Sequence, residues 1–128
     1  MQANDGIDPI CGQDGARARE ALDLVSDKWS LYVVAALGQG PLRFSQARRV
    51  VAGISQRMLT VTLRRLVRDG LVSRTVAPTV PPQVTYALTE AGHSLRLAVQ
   101  PLIKWAFATV DNIDAARATY DAQAEDQA

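Results

Sequence analysis

The chain has 128 residues, 48% of them hydrophobic and 21% charged, with 14 basic against 13 acidic residues for a net charge of +1. That is the size of one domain with a real core, and it excludes wholesale disorder. One cysteine (Cys11) and one histidine (His93) rule out an internal disulfide framework and a His/Cys metal cluster, and the opening MQANDGIDPI carries no basic, apolar leader. No apolar run reaches the ~18 residues of a spanning helix, so a soluble, cytoplasmic chain without membrane contact is expected.

Residues 1–15, with Gly6, Pro9, Gly12 and Gly15, are expected to form a flexible arm. From Ala16 to Val25 the apolar positions Ala18, Ala21, Leu22 and Val25 have helical spacing, with Arg17, Glu20 and Asp23 opposite. Ser26 is the expected N-cap of a second helix over residues 27–37, with Asp27 set against its dipole. Trp29, Leu31, Val33, Val34 and Leu37 make this helix apolar nearly all round, so it belongs in the centre, and Gly38, Gly40 and Pro41 end it.

A short helix is expected from Ser45 to Val51, with Phe44 as a staple, and Ala52-Gly53-Ile54 breaks it. Ser55 caps a longer helix to Asp69, and Gly70 is its left-handed stop. Leu59, Leu63 and Leu66 mark the buried face of that helix; Arg57, Val61, Arg64 and Arg68 point within about 40° of the opposite direction. Leu71–Ala77 and Gln83–Leu88 form a hairpin with Val84, Tyr86 and Leu88 on one face and Tyr86 anchoring it to the body. The prolines of the intervening PTVPP stiffen its tip. Thr89-Glu90 opens a last helix to Ile113, kinked at Pro101, with an apolar stripe of Leu95, Val99, Leu102, Ala106 and Val110 longer than one domain of this size covers. Residues 114–128, rich in alanine and acid, are expected to fray as a tail, which leaves 16–113 as the single folded domain.

Charge is unevenly spread. Between Pro41 and Leu88 lie eight arginines (Arg43, Arg48, Arg49, Arg57, Arg64, Arg65, Arg68, Arg74) and one acid, Asp69, a net of eight minus one, +7; the remainder carries −6. Arginine's planar fork suits phosphates and guanine edges, so a nucleic-acid surface is indicated over a merely solvated face. The element order is that of a mainly α winged helix-turn-helix with a small β-hairpin wing. In that arrangement Ser55, Gln56, Arg57, Thr60 and Val61, with Arg64 one turn on, meet base edges in the major groove; Thr60, Arg64 and Arg65 could equally hold phosphates, and Arg68 serves the backbone. Arg74 and Gln83 place the wing along the backbone or over the minor groove.

The segments LDLVSDKWSLYVVAAL, GPLRFSQ, GISQRMLTVTLRRLVRDGLVSRTV and PTVPPQVTYALTEAG closely resemble the HxlR-type winged-helix transcriptional regulators of bacteria, over residues 16–107. The resemblance implies a cytoplasmic homodimer, paired through N- and C-terminal helices, that binds a palindromic double-stranded DNA operator and uses no cofactor. Leu95, Val99, Leu102, Trp105, Ala106 and Val110 are the interface candidates. Gln83 stands where the family usually has arginine, and Val67 where it usually has glutamate, so this helix is the more basic. Some members sense oxidants through an N-terminal cysteine, which makes Cys11 a candidate redox sensor; a small-molecule effector is the other signal to consider. An enzyme is disfavoured by the absence of paired His/Cys/acid groups and of a glycine-rich phosphate loop. The competing binding function is a winged-helix module whose basic face meets an acidic protein.

Overall fold

The computed structural model describes residues 11–12 and 15–127, and the side chains of residues 24, 25 and 127 fall outside that description. Most of the expected N-terminal arm therefore lies outside the described residues, as does the side chain of Val25. The elements run α1 (Ala16–Val25), α2 (Lys28–Leu37), β1 (Leu42–Arg43), α3 (Phe44–Val50), α4 (Gln56–Arg68), β2 (Val72–Ala77), β3 (Gln83–Leu88) and α5 (Glu90–Gln127). The three strands form an antiparallel sheet in the order β1-β3-β2.

The core sits where α2, α3, α4 and the base of the sheet converge. Val33, Val34 and Leu37 of α2 meet Ala47, Val51, Ile54, Leu59, Leu63 and Leu66, closed by Val72 and Leu88 from the strands. Each fully buried leucine or valine contributes about 1.5–3 kcal/mol relative to exposure, so this cluster dominates the stability of the body. Trp29 and Tyr86 pack at its margin, Trp29 edge-on to Tyr32 with ring centroids 5.7 Å apart.

Capping decides where the helices begin and end. The N-cap of α2 is Asp27 rather than Ser26: Asp27 has an extended backbone and accepts hydrogen bonds from the amides of Trp29 and Ser30, whereas Ser26 is still helical as the C-cap of α1. Ser55 caps α4 by accepting from the Met58 amide at 3.0 Å. At the other end, the amides of Gly70 and Leu71 donate to the carbonyls of Val67 and Leu66 at 3.1 and 2.9 Å, with Gly70 at φ 77°. This paired closure needs a left-handed residue, which glycine adopts without penalty.

Thr89 ties the end of α4 to the start of α5. Its amide donates to the Leu71 carbonyl, its hydroxyl donates to the Gly70 carbonyl at 2.6 Å, and the same oxygen accepts from the Gly92 amide. The packing here is so close that a Cβ on Gly92 would collide with the Leu71 carbonyl oxygen.

Two expectations are corrected. The sheet has a third strand, β1, whose Leu42 and Arg43 pair with Tyr86 and Thr85. α5 does not stop at Ile113 but continues to Gln127, so the expected fraying tail is helical; its alanines are strong helix formers, and they outweigh the acidic composition that suggested a tail. The helix also continues through Pro101, which has no amide hydrogen for the Leu97 carbonyl. At 1.5 Å per residue, the 38 residues of α5 span about 57 Å, well beyond the body it leaves.

Candidate nucleic-acid interface

The surface begins with the orientation of α4. Because Leu59, Leu63 and Leu66 are fully buried, the opposite face is committed to solvent, and Arg57, Val61, Arg64 and Arg68 are exposed on it, while Gln56, in line with Leu63, is exposed as the first residue of the helix. Gln56, Arg57, Thr60, Val61 and Arg64 line a shallow concavity of about 500 Å³. The Thr60 side chain is not wholly free, since its hydroxyl donates to the Gln56 carbonyl at 2.9 Å. Ser55 spends its oxygen on the cap, leaving its hydroxyl hydrogen available.

Arg65 departs from the expected phosphate-binding role. Its Nη1 lies 2.7 Å from Asp27 Oδ2, and it is half-buried against α2. The helical wheel explains this: Arg65 falls about 80° away from the centre of the exposed arginine stripe, on the flank that meets α2. Asp27 is the hub of that contact. Partial burial alone would raise its pKa, but hydrogen bonds from the Ser30 hydroxyl and the Trp29 and Ser30 amides, with the Arg65 charge, hold the carboxyl below its usual value.

The wing carries Arg74, exposed on β2 opposite Tyr86 of β3. Gln83 is also exposed, and its Oε1 accepts from Arg43 Nη2 at 2.7 Å. Arg43 lies outside α4 and the hairpin, and only the third strand brings it beside Gln83 on the candidate surface. Its backbone is fixed by β1 and by the Gln46 side chain, which accepts from the Arg43 amide at 2.9 Å, so this arginine is held at the edge of the wing. Arg48 and Arg49, in the last turn of α3, line a second concavity with Ser45 and Gln56. Their presence in the basic segment was the signal that the surface is wider than α4.

The C-terminal candidates divide in two. Leu95 and Val99 are covered within the chain, Val99 to 5% exposure and Leu95 against the core, so their burial requires no second chain. Leu102, Trp105, Ala106 and Val110 are exposed, and Phe107 is 81% exposed. Cys11 is exposed, as is His93. Among the described residues no group of three or more His, Cys, Asp or Glu could hold a metal ion, and no helix is long and apolar enough to cross a membrane.

Residues 24–114 match the model of the HxlR-like helix-turn-helix family. An uncharacterised HTH-type transcriptional regulator of Methanothermobacter thermautotrophicus is 45% identical over 85 residues, which span 66% of this chain and 65% of that relative's length. The fold is similar to that of the redox regulator HypR in its reduced form, with a TM-score of 0.72 and 36% identity over 78% of this chain and 99% of the other. It is also similar to the reduced transcriptional regulator YodB of B. subtilis, with a TM-score of 0.64 and 33% identity over 71% of this chain and 89% of that one.

Proposed function

The chain belongs to the HxlR-like helix-turn-helix family and is a transcriptional regulator rather than an enzyme; from that premise we propose that it is a cytoplasmic homodimer that binds a palindromic double-stranded DNA operator sequence-specifically. The observation that carries this reading is the stripe of Arg57, Arg64 and Arg68, exposed opposite the buried leucines of α4 and engaged in no ion pair among the described residues. Ser55, Gln56, Arg57, Thr60 and Val61 then face base edges, Gln56 suited to adenine and Arg57 to guanine, each good bidentate pair giving about 1–3 kcal/mol of discrimination. Arg64 and Arg68 hold phosphates. Arg43, Arg48 and Arg49 extend the same positive surface, and Arg74 and Gln83 bring the wing onto the duplex. Arg65 is left out of this set because Asp27 holds it.

Two copies meet through the exposed part of the α5 stripe, Leu102, Trp105, Ala106 and Val110, which nothing within the described chain covers. Dimerisation sets two recognition helices about 34–36 Å apart, one turn of duplex. The likeness to HypR and YodB supports an oxidant as effector, with the exposed Cys11 as its target. As the chain's single cysteine, Cys11 can form a disulfide only with a thiol of another molecule, such as Cys11 of a second copy or a small thiol, the oxidant taking up the two electrons and two protons released.

The test is a fluorescence-anisotropy titration against duplex tiles flanking the protein's own gene, at several salt concentrations, reduced and mildly oxidised. Tight, tile-specific binding that weakens with salt is expected, with its affinity altered on oxidation. Specific binding unchanged by oxidation retires Cys11 as sensor. Salt-sensitive binding without preference for any operator, there or in a genomic selection, overturns the sequence-specific reading in favour of a basic module with an acidic protein partner.

A further inference from the structure

The cations of the wing stand along its sides and not at its tip. Arg74 of β2 lines the same surface concavity as Arg64 and Arg68 of α4, and Arg43 reaches the hairpin through Gln83. From Ala77 to Leu88, by contrast, there is no charged residue, although this stretch lies in the most basic part of the chain. The tip is apolar and bare: Val80 is 100% exposed, Val76 below it on β2 is 45% exposed, and Pro78, Pro81 and Pro82 are all exposed. It is also stiff. Each proline fixes its own φ, and Thr79 closes the loop on itself, its amide donating to the Ala77 carbonyl and its hydroxyl to the Pro81 carbonyl, both at 2.8 Å. Six paired positions, from Val72 opposite Leu88 to Ala77 opposite Gln83, hold this tip about 17 Å out from the core at about 3.4 Å per residue.

A charged tip would pair with phosphates. A rigid, uncharged one gains nothing from them, and the apolar surface a duplex can offer it is the face of a base pair, reached when a step opens toward the minor groove. The arginines on either side of the hairpin favour a duplex over an apolar protein pocket as the partner. We infer that Val80, backed by Pro81 and Pro82, is a wedge that enters a base step from the minor groove beside the α4 site, partly unstacking that step and kinking the duplex toward the major groove. Steps that unstack at low cost, TA and CA/TG, are then preferred at a position that no polar side chain reads. The inference rests on the proposed DNA-binding function and adds to it a residue that selects sequence through deformation of the duplex.

The test uses the full chain and the tightest duplex it selects from a random-sequence library. 2-Aminopurine replaces the adenines of that duplex one at a time, because its fluorescence rises on unstacking, and dyes at the two ends report bending by energy transfer. A rise confined to one step per half-site is expected, with a bend in the range of about 20–90°. Val80→Ser, an exposed change whose folding is checked by circular dichroism, should abolish the rise and the bend and weaken affinity about tenfold, whereas Val80→Phe should retain both signals. The parent should prefer TA to AA at that step by about tenfold, and Val80→Ser by less than about twofold. Tight binding with no unstacked step, unstacking that persists in Val80→Ser, or a step preference unchanged in that variant would each overturn the wedge and leave the DNA-binding reading standing. A chain that selects no duplex from the library overturns the DNA-binding reading, and the wedge with it.

Discussion

Arg65 Nη1 and Asp27 Oδ2 meet at 2.7 Å across 38 residues of sequence, so the helix assigned to base reading is pinned to the N-cap of the central helix. The same carboxylate accepts from the amides of Trp29 and Ser30 and from the Ser30 hydroxyl. One acidic side chain thus both caps α2 and ties it to α4, whose seat is set by its buried leucines.

Acid should loosen that junction. The folded pKa of Asp27 is lowered, so its stabilising contribution is whole above the unfolded value of about 3.9 and drains away as pH falls through the lowered folded value. Asp27→Asn keeps a good cap but removes the charge. Thermal melts should show the variant less stable at neutral pH by at most about 1 kcal/mol for a half-exposed pair, and equal to the parent in strong acid. A stability gap that persists at the acid end would mean that the charge is not its source.

The arginines of α4 should fall into three kinds. Arg57→Ala should cost about 1–3 kcal/mol on the operator and relax one base position. Arg68→Ala should weaken operator and random duplex alike and reduce the salt slope by about one. Arg65→Ala should leave the salt slope unchanged and lower the melting temperature instead. Equal loss on both duplexes for Arg57→Ala would remove its base-reading role.

Two glycines should respond in opposite ways to the same methyl group. Gly92→Ala drives its Cβ into the Leu71 carbonyl oxygen, a backbone atom held by the Thr89 hydrogen bond, and should cost about 1–3 kcal/mol. Gly38→Ala meets chiefly the Arg96 side chain, whose flexible end can move, and Gly38 already has helical φ, so the change should be near neutral. Denaturant melts of both variants measure the contrast.

The α5 stripe should separate by substitution into an intrachain and an interchain part. Trp105→Glu, at a side chain 57% exposed, should leave the fold intact and turn the sedimentation profile from dimer to monomer. Val99→Ala, buried within the chain, should cost about 1–3 kcal/mol of stability. A Trp105→Glu protein that still sediments as a dimer would place the interface elsewhere.

The central helices and the wing were legible because their signals are local: a leucine face at i, i+4 and i+7 in α4, a Ser cap before it and a glycine after it. β1 was not, because two residues have no periodicity and their partners, Tyr86 and Thr85, lie more than 40 positions away. The shift from Ser26 to Asp27 as cap reflects two adjacent residues of equal capping chemistry, decided only by backbone conformation. The exposure of the arginine stripe of the candidate site was legible from the wheel. The engagement of Arg65 could have been read from its angle on the wheel, whereas the place of Arg43 beside Gln83 needed the third strand.

That short strand also settles how the sheet meets its surroundings. An open sheet edge invites a strand from another chain to add on, and proteins blunt such edges with brevity, charge and proline. Here one edge is β1, only two residues long. The other is β2, which carries Arg74 outward and runs into Pro78. β1 is too short to template a ladder, and β2, six residues long, meets a neighbour with the charge of Arg74 and stops at Pro78, so each edge carries a device that disfavours edge-to-edge pairing.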